Sequence, residues 1–389
     1  KDIALQILPH LLTVSMKKVC DGETVVILVA TSGDTGKAAL EGFKDVENTK
    51  ILVFYPEDGV SPMQKHQMNT QTGENVSVCA IRGNFYDAQT GVKQIFTSEA
   101  IGKILKGHNM RFSSANSINW GRLLPQIVYY FSAYCDIMNS GEMDYKGEKV
   151  NIVVPTGNFG NILAAYYAMQ MGLPVNKLIC ASNENNVLTD FIRTGTYDRN
   201  RAFHTTISPS MDILISSNLE RLLYDLCGRD DRKINQWMNE LKLSGRYSVD
   251  SMVKEKLSAV FYGNYASDDE TKQTIRKVFD SEGYLCDTHT AVAINVYEKY
   301  CVETGDSQTP AIIASTASPY KFADAVLEAV TGEKADGEEF EKVDALSALT
   351  GTQIPSPIAA LKNAQVRFQN VCNKEDMGHA VMQLLHIDG

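Results

Sequence analysis

Apolar and polar positions along this chain form blocks that switch repeatedly between two types. The continuous β-branched run at residues 23–30 is typical of a strand buried on both faces of a parallel sheet, and residues 149–154 are predicted to form a second strand. Each run is followed by a turn and then by a helical pattern, at residues 37–43 and 162–171. Because alternating strands and helices form crossover units, this pattern predicts parallel sheets wrapped by helices.

Other segments fit the same plan. Further strands are predicted at residues 50–55, 75–81, 177–181 and 310–315. Further helices are predicted at residues 3–18, 61–68, 85–105 and 119–139. Ser61 followed by Pro62 is a helix-start signal. Residues 229–280, in contrast, are polar and charged, and we predict an added helical segment there.

The length of 389 residues exceeds what one ordinary core holds and predicts two packed domains. The predicted fold class is α/β, with two parallel-sheet lobes wrapped by helices and a cleft between them. We expect a smaller α/β domain over residues 21–140 and a larger one over residues 141–389, which includes the helical segment 229–280. Residues 1–20 are expected to begin the larger domain.

Composition narrows the function classes. A formal net charge of −10 argues against nucleic-acid binding, which needs an excess of Lys and Arg. No apolar run is long enough to cross a membrane. The 8 cysteines occur singly and the 7 histidines show no ligand spacing. We therefore expect reduced thiols in a cytoplasmic protein without a catalytic metal.

Two of the predicted strands end in glycine-rich turns that open helices, at residues 31–36 and 155–161. Such turns offer unpaired backbone N–H groups and the positive end of a helix dipole, which suit an anion. Neither turn matches a P-loop or a GxGxxG fingerprint. Glycines also serve plain tight turns, so one such turn leaves both interpretations open. Two of them in one α/β chain suggest two anionic groups bound together.

Several short motifs resemble those of threonine synthases of the longer bacterial and fungal type. They are Ala30-Thr-Ser-Gly-Asp-Thr-Gly36, Ser114-Ala-Asn-Ser-Ile-Asn119, Pro155-Thr-Gly-Asn-Phe-Gly-Asn161, Ser208-Pro-Ser-Met-Asp212, Asp287-Thr-His-Thr-Ala291 and Ser315-Thr-Ala-Ser-Pro-Tyr-Lys-Phe322. They stand in the family's order and span most of the chain. The resemblance implies a tryptophan-synthase-β-like, fold type II enzyme that uses pyridoxal 5′-phosphate.

The first residue gains a role from this resemblance. In the family the cofactor lysine lies in a segment ending Phe-Lys-Asp, upstream of the serine-rich loop, and Lys1-Asp2 stands where that Lys-Asp falls. A terminal lysine would otherwise be taken as a solvated charge. The resemblance implies that Lys1 forms the Schiff base and acts as general base at the substrate's Cα. It also implies that the family's N-terminal domain lies outside this numbering.

The resemblance also implies a set of cofactor contacts. The residues expected to cradle the cofactor phosphate are Gly157, Asn158, Phe159, Gly160 and Asn161. Thr316 is expected at the pyridine nitrogen, where a neutral hydroxyl suits fold type II. Ser315 and Thr316 could instead simply cap the helix that follows.

Substrate contacts are implied in the same way. The loop expected to hold the substrate carboxylate is Thr31, Ser32, Gly33, Asp34 and Thr35. In many relatives an Asn in place of Asp34 contacts the cofactor's 3′-oxygen. A carboxylate there would have to be protonated or turned away, so the role of Asp34 stays open.

The leaving phosphate needs its own donors. The candidates are Asn116, Asn119, Arg122 and Lys321, each of which could equally be structural. His289 is more often a core or turn histidine than a site residue. At position 318 the chain has Ser where many relatives have His.

The function that the resemblance implies is a carbon–oxygen lyase reaction. O-phospho-L-homoserine and water would give L-threonine and phosphate by γ-elimination and β-addition. One alternative is a threonine-synthase-like phospholyase that releases 2-oxobutanoate, and another is a non-catalytic relative that binds a metabolite. The expected partner is a small-molecule substrate, with no nucleic acid and no membrane, and both a monomer and a homodimer remain open.

Overall fold

The computed structural model describes residues 2–19, 22–143 and 147–387. The strands in chain order are β1 (Thr24–Ala30), β2 (Thr49–Pro56), β3 (Val76–Arg82), β4 (Met110–Ser113), β5 (Val150–Pro155), β6 (Val175–Ser182), β7 (Thr196–Asp198), β8 (Arg246–Ser248), β9 (Phe261–Tyr265), β10 (Ala311–Ile313) and β11 (Asn370–Asn373). The chain divides into two compact units, one of residues 1–125 with 353–389 and the other of residues 126–352.

The α-helices alternate with these strands, as the sequence pattern predicts. They are α1 (Asp2–Val19), α2 (Asp34–Phe43), α3 (Pro62–Asn69), α4 (Phe85–Thr97), α5 (Glu99–Gly107), α6 (Trp120–Ser140), α7 (Gly160–Gln170), α8 (Val187–Thr194), α9 (Leu219–Leu226), α10 (Asp231–Ser244), α11 (Ser251–Val260), α12 (Asp268–Glu282), α13 (Thr288–Thr304), α14 (Ala323–Thr331), α15 (Glu339–Thr350), α16 (Ser356–Ala359) and α17 (Met377–Leu384). The α/β fold class is confirmed.

The first unit is built on a parallel sheet with strand order β11-β3-β2-β1-β4. Along β1, Val25 and Ile27 pack into one core with Leu5 of α1 and Phe43 of α2. Alternate residues of β1, such as Leu28, pack into a second core that α4 and α17 cover. Both faces of the strand are therefore buried, which is why its sequence is apolar without alternation.

The second unit is built on a shorter parallel sheet with strand order β10-β5-β6-β9. Val292 and Val296 of α13 pack on Val153 and Ile179, in the middle of β5 and β6. The strands β7 and β8 pair antiparallel outside this sheet. In both units a glycine-rich loop leaves the carboxyl end of an inner strand, β1 or β5, and enters a helix.

Local helix signals are confirmed where they were strongest. Ser61 caps α3, its hydroxyl accepting from the Gln64 N–H at 3.2 Å, and Pro62 occupies the first turn. The single helix predicted over residues 85–105 is instead two, α4 and α5, because the Ser98 hydroxyl caps a new helix through the Ile101 N–H.

Three other expectations differ from the structure. The segment 229–280 contains α10, α11 and α12, but also β9, a strand of the second sheet. The helix α1 belongs to the first unit, because its apolar face, with Leu8 and Met16, is buried in that core. Residues 353–389 also belong to the first unit, where β11 pairs with β3. The expected domain boundaries at 20 and 140 therefore do not coincide with the two units.

In the described part of the chain, no helix is both long enough and apolar enough to span a bilayer.

Candidate functional site

The loop after β1 is folded around one buried hydroxyl. The Thr31 side chain is 1% exposed, and its Oγ1 accepts from the N–H groups of Gly33 at 2.9 Å and Gly36 at 2.8 Å. These two bonds curl the chain into the start of α2. Thr31 therefore shapes the loop that we expected it to serve as a substrate contact.

Asp34 uses its carboxylate in a contact with the neighbouring helix α3. Its side chain is buried, and its Oδ1 accepts from Nε2 of Gln64 at 2.9 Å. Gly33 lies beside the same amide with φ 128°, and a Cβ built there would lie 2.3 Å from Oε1 of Gln64. Only glycine fits at that position. Gln64 is thus a loop-forming residue that the sequence reasoning missed.

The remaining groups of the loop are available to a ligand. Ser32 is half-buried, and its hydroxyl and its N–H have no hydrogen-bond partner among the described residues. The N–H of Thr35, in the first turn of α2, likewise has none in that part of the chain. Free donors at a helix N-terminus attract an anion, such as the substrate carboxylate that we expected here.

The turn at residues 114–122 lies against this loop. Nδ2 of Asn116 donates to the Ala30 carbonyl at 3.1 Å, and the Arg122 guanidinium donates to Oγ1 of Thr35 at 3.2 Å. Arg122 is 5% exposed and also donates to the Ala115 carbonyl at 2.7 Å. The structure thus places these two expected phosphate contacts beside the expected carboxylate loop.

Asn119 has a local structural part in the same turn. Its Nδ2 donates to the Ser114 carbonyl at 2.7 Å, and its Oδ1 accepts from the Gly121 N–H at 2.9 Å, at the start of α6. These bonds fix the entry of the helix that carries Arg122. Asn119 therefore helps to position the Arg122 guanidinium through the start of this helix.

The loop after β5 forms a concave row of backbone donors. No N–H group of residues 157–162 donates to an acceptor within the described ranges. Phe159 adopts the left-handed conformation, with φ 62°, directly before Gly160 begins α7. Successive N–H groups in such a turn converge on one point, and the helix dipole adds positive potential there. The five expected residues, Gly157 to Asn161, all belong to this row.

A second segment holds the carbonyl side of this loop. Ser216 Oγ donates to the Gly157 carbonyl at 2.8 Å, and Asn218 Nδ2 donates to the Asn158 carbonyl at 2.9 Å. In a trans peptide the N–H of the next residue points opposite to the carbonyl. The two bonds therefore aim the N–H groups of Asn158 and Phe159 away from this segment.

The far end of the loop is fixed by aromatic residues. The buried Tyr130 hydroxyl donates to the side-chain oxygen of Asn161, and burial raises its pKa well above the usual value. The Phe159 ring is 1% exposed and packs on Phe261, with centroids 5.8 Å apart. The row of donors is therefore anchored to the core of the second unit at both ends.

Thr316 lies in the turn after β10, also in the second unit. It is half-buried, and its hydroxyl has no partner among the described residues. The short 3-10 helix that follows, Pro319–Phe322, begins at Ser318 instead. The alternative that Ser315 and Thr316 cap that helix is therefore wrong. Lys321 lies within this 3-10 helix and is half-buried.

His289 is a core residue that touches the turn beside the loop after β5. It is 2% exposed, and its Nε2 accepts from the Ser210 N–H at 3.2 Å. Its Nδ1 lies 3.3 Å from Oδ1 of Asp287. Burial alone would raise the pKa of Asp287. Hydrogen bonds from His289 and Thr290 outweigh the effect of burial, so the pKa of Asp287 is lowered.

A buried polar network braces the segment that includes Ser208. Oδ1 of Asp212 accepts from Asn183 at 2.7 Å and from Asn185 at 3.0 Å, and Oδ2 accepts from the Thr206 N–H at 3.0 Å. Burial nevertheless raises the pKa of Asp212 to about 6, against the effect of these bonds. The motif at residues 208–212 thus has a structural basis.

Comparison with known proteins identifies the family. The family model for pyridoxal-phosphate-dependent enzymes matches residues 8–315, and the model for the threonine synthase C-terminal region matches residues 290–381. A threonine synthase from Pseudomonas aeruginosa is 41% identical over 333 residues, which are 86% of this chain and 67% of that protein. This chain belongs to the threonine synthase family of pyridoxal-phosphate-dependent enzymes.

Solved structures of the family agree with this assignment. The threonine synthase from yeast has a TM-score of 0.83 and 34% identity, with coverage of 99% of this chain and 75% of that chain. The pyridoxal-phosphate-bound threonine synthase from Brucella melitensis has a TM-score of 0.81 and 35% identity, covering 98% and 75%. Fold type II and the cofactor, pyridoxal phosphate, follow from the family.

The match to curated relatives covers only part of each. Threonine synthase-like 1 from Homo sapiens is 43% identical over 337 residues, which are 85% of this chain but 44% of that protein. This chain therefore spans about half the length of the curated relatives that it matches most strongly.

The loop after β5 fits the phosphate group of the family's cofactor. It offers consecutive free N–H groups at a helix N-terminus, and Gly157 lets the backbone run close to Ser210. Lys1, the expected Schiff-base residue, lies outside the described residues. The loop 31–35 and the turn 114–122 belong to the first unit, whereas residues 157–161, Thr316 and Lys321 belong to the second.

Sequence reasoning missed the residues that shape these loops. They are Gln64, Ser210, Ser216 and Asn218, which all contact loop backbone or loop side chains. The only available signal was the motif at residues 208–212, for which the resemblance implied no role. Such residues act by closing bonds between distant segments, which no local pattern in the sequence announces.

Proposed function

We propose that this chain carries the catalytic part of a threonine synthase, which converts O-phospho-L-homoserine and water to L-threonine and phosphate. The observation that carries the proposal is the pair of loops with free donors, after β1 and after β5, in a chain of this family. One loop suits the cofactor phosphate and the other suits an anionic group of the substrate.

Residues 157–162 would hold the cofactor phosphate through their backbone N–H groups, and the Thr316 hydroxyl would bind the pyridine nitrogen. When bound, pyridoxal phosphate supplies an electron sink for bonds at the substrate's Cα. Lys1 moves protons at Cα, Cβ and Cγ in turn. Overall, the Cγ–O bond to phosphate breaks and a water oxygen adds at Cβ.

The first unit supplies the substrate contacts. Ser32 and the N–H groups of the loop bind the substrate carboxylate. Arg122, held by Thr35 and Ala115, places a fixed positive charge beside that loop, and Asn116 adds a polar group. These groups stabilise the leaving phosphate as its charge develops.

A second candidate function is that of a phospholyase, in which the same early steps end in 2-oxobutanoate, ammonia and phosphate. The relatives of this chain include both threonine synthases and threonine synthase-like 1 proteins, so family membership alone does not decide between the two outcomes. The two reactions share the binding of the substrate and the loss of phosphate, so they differ only in how the later steps partition.

A cytoplasmic location and a monomeric or dimeric state remain predictions.

Product analysis separates the two functions. The full-length protein is incubated with O-phospho-L-homoserine, and phosphate, threonine and 2-oxobutanoate are each quantified, with unphosphorylated homoserine as the control substrate. We expect equal amounts of phosphate and threonine. Equal amounts of phosphate and 2-oxobutanoate would establish the phospholyase instead. Turnover of homoserine without a preference for its phosphate ester would refute both.

A further inference from the structure

The contacts of His289 favour one tautomer of its imidazole. Its Nε2 accepts from the Ser210 N–H at 3.2 Å, so that nitrogen carries a lone pair and no proton. An imidazole without a proton on Nε2 carries its proton on Nδ1, which here lies 3.3 Å from Oδ1 of Asp287. Asp287 is 1% exposed, and its Oδ1 also accepts from the N–H groups of His289 and Thr290 at the start of α13. The imidazole is therefore fixed on one side by a buried carboxylate.

The residue that His289 anchors forms one wall of the loop after β5. The Ser210 carbonyl oxygen lies 2.6 Å from the place that a Cβ on Gly157 would occupy, closer than any real side chain allows. Ser210 stands in the short 3-10 helix Pro209–Met211, and the same segment continues to Ser216 and Asn218, which bind the loop's carbonyls. A displacement of Ser210 would therefore change the path of the donor row.

The same helix start also touches the expected pyridine side. Thr290 donates to the Asp287 carboxylate, and its hydroxyl lies 3.3 Å from Oγ of Ser315, the neighbour of Thr316. Asp287, His289 and Thr290 are all at most 3% exposed. One buried cluster at the N-terminus of α13 thus contacts two segments that are expected to bind the cofactor.

We infer that His289 is a positioning residue for the cofactor-phosphate cradle, acting through the Ser210 backbone, with Asp287 fixing its tautomer. The inference rests on the proposed role of residues 157–162 as that cradle. His289 itself touches neither cofactor nor substrate in this assignment. Its contribution is to keep the wall of the cradle in place, so its loss should weaken recognition of the phosphate group in particular.

Two substitutions separate this role from simple packing. In His289→Gln the amide oxygen can occupy the position of Nε2 and still accept from Ser210. In His289→Asn the shorter side chain can reach Asp287 but not Ser210. His379→Asn, at an exposed position of α17, is the matched control for the same exchange of residue types.

The readout is the preference for the phosphorylated cofactor. Dissociation constants of the full-length protein are measured for pyridoxal 5′-phosphate and for pyridoxal, which lacks the phosphate. We expect His289→Asn to reduce the preference for the phosphorylated form, which is the dissociation constant of pyridoxal divided by that of pyridoxal 5′-phosphate, by about tenfold. This is the effect of losing one well-placed hydrogen bond from the cradle to the charged phosphate. His289→Gln and His379→Asn should keep the wild-type ratio.

The outcomes distinguish the inference from its premise. If the wild type binds both forms equally, the cradle assignment falls, and the inference falls with it. If the wild type prefers the phosphorylated form and His289→Asn keeps the full preference, only the positioning role is overturned. Equal losses in His289→Asn and His289→Gln would also overturn it, because the acceptor would then not matter.

A measurement on the unmodified protein covers the case in which His289→Asn fails to fold. In the ¹⁵N spectrum of histidine-labelled protein at neutral pH, the imidazole signal absent from His289→Gln belongs to His289. We expect a protonated Nδ1 and an unprotonated Nε2 that responds to added pyridoxal phosphate. A protonated Nε2 would overturn the inference, because it cannot accept from Ser210.

Discussion

At the scale of single residues, Gly157 is the position where the loop after β5 has least room. A Cβ there would lie 2.6 Å from the Ser210 carbonyl oxygen, so Gly157→Ala must displace backbone on one side or the other. We expect this variant to lose at least about tenfold in affinity for pyridoxal phosphate and roughly 1–3 kcal/mol in the free energy of unfolding. Cofactor titration and urea unfolding measure the two effects.

Gly102, within α5, is the matched control for that exchange. A Cβ there meets nothing within 4 Å. Since alanine favours a helix over glycine by up to about 1 kcal/mol, Gly102→Ala should stabilise the protein slightly and leave cofactor affinity unchanged. Wild-type affinity in Gly157→Ala would mean that residues 157–162 do not hold the cofactor.

Asp212 is the residue whose environment predicts a dependence of stability on pH. Its folded-state pKa is raised to about 6 from 3.8, so the folded protein keeps a proton that the unfolded chain releases between these values. Its contribution to stability is therefore full below about pH 4 and is lost as the pH rises through 6, by up to roughly 3 kcal/mol. Relative to the wild type, Asp212→Asn should gain about that amount in the free energy of unfolding as the pH rises from 4 to 7. Urea unfolding of both proteins at several pH values measures this difference.

Asp250 provides a control of opposite sign. Its pKa is lowered, chiefly by a hydrogen bond from Lys233, so its contribution is present above its unfolded-state pKa and is lost as the pH falls. Relative to the wild type, Asp250→Asn should therefore lose free energy of unfolding as the pH rises from 4 to 7. Parallel pH profiles for wild type and Asp212→Asn would show that Asp212 titrates as an ordinary carboxylate.

The sequence predicted which residues surround the candidate site better than it predicted what each side chain does. The loops 31–35 and 157–161 lie at the positions that the glycines after the predicted strands indicated, because the local preference of the backbone determines such turns. Thr31 and Asp34, however, use their polar atoms inside the loop, with Gly36 and Gln64 as partners. Residue type alone does not distinguish a group that faces a ligand from one that folds the loop.

At the scale of elements, the packing of α17 against α4 is one of the contacts, with the pairing of β11 and β3, that tie residues 353–389 to the first unit. Met377, at the start of α17, is 1% exposed, and its sulfur lies 2.3 Å from the place of a Cβ on Gly91. Met377→Ala should cost about 2–5 kcal/mol in the free energy of unfolding, because it leaves a cavity between the two helices.

Met171, which is 67% exposed, serves as the control for this prediction. Met171→Ala should change the free energy of unfolding by less than about 0.5 kcal/mol. Chemical denaturation of both variants makes the comparison. Equal effects in the two would show that α17 contributes no buried contact to the unit.

Inner strands were predicted from their apolar sequence, whereas of the edge strands of the two sheets only β10 was predicted. The inner strands β1, β2, β3, β5 and β6 are continuous apolar runs, since both of their faces are covered. The outer strands β4, β9 and β11 have few buried residues or little apolar sequence, and their pairing depends on a neighbour far away in the chain. Their existence is a tertiary effect, which sequence periodicity does not encode.

At the scale of the whole molecule, cofactor binding should appear as added stability. A ligand that binds only the folded state raises the free energy of unfolding by about 2.7 kcal/mol at one hundred times its dissociation constant. Pyridoxal phosphate should therefore raise the unfolding temperature in a concentration-dependent way, as differential scanning fluorimetry would record. Pyridoxal at the same concentration should have a much smaller effect, and equal effects would contradict the phosphate cradle.

The division of the chain also bears on the order in which the molecule is made. The loop after β5, the segment with Ser216 and Asn218 that binds its carbonyls, and the cluster around His289 all lie between residues 126 and 352, so this unit can leave the ribosome complete. The first unit must wait for β11 and α17, and until then the edge of β3 is open to pairing with other chains. During synthesis, the unit that begins first is therefore finished last. The nascent chain is most exposed to misassembly while the unit that carries the proposed phosphate cradle can already be folded.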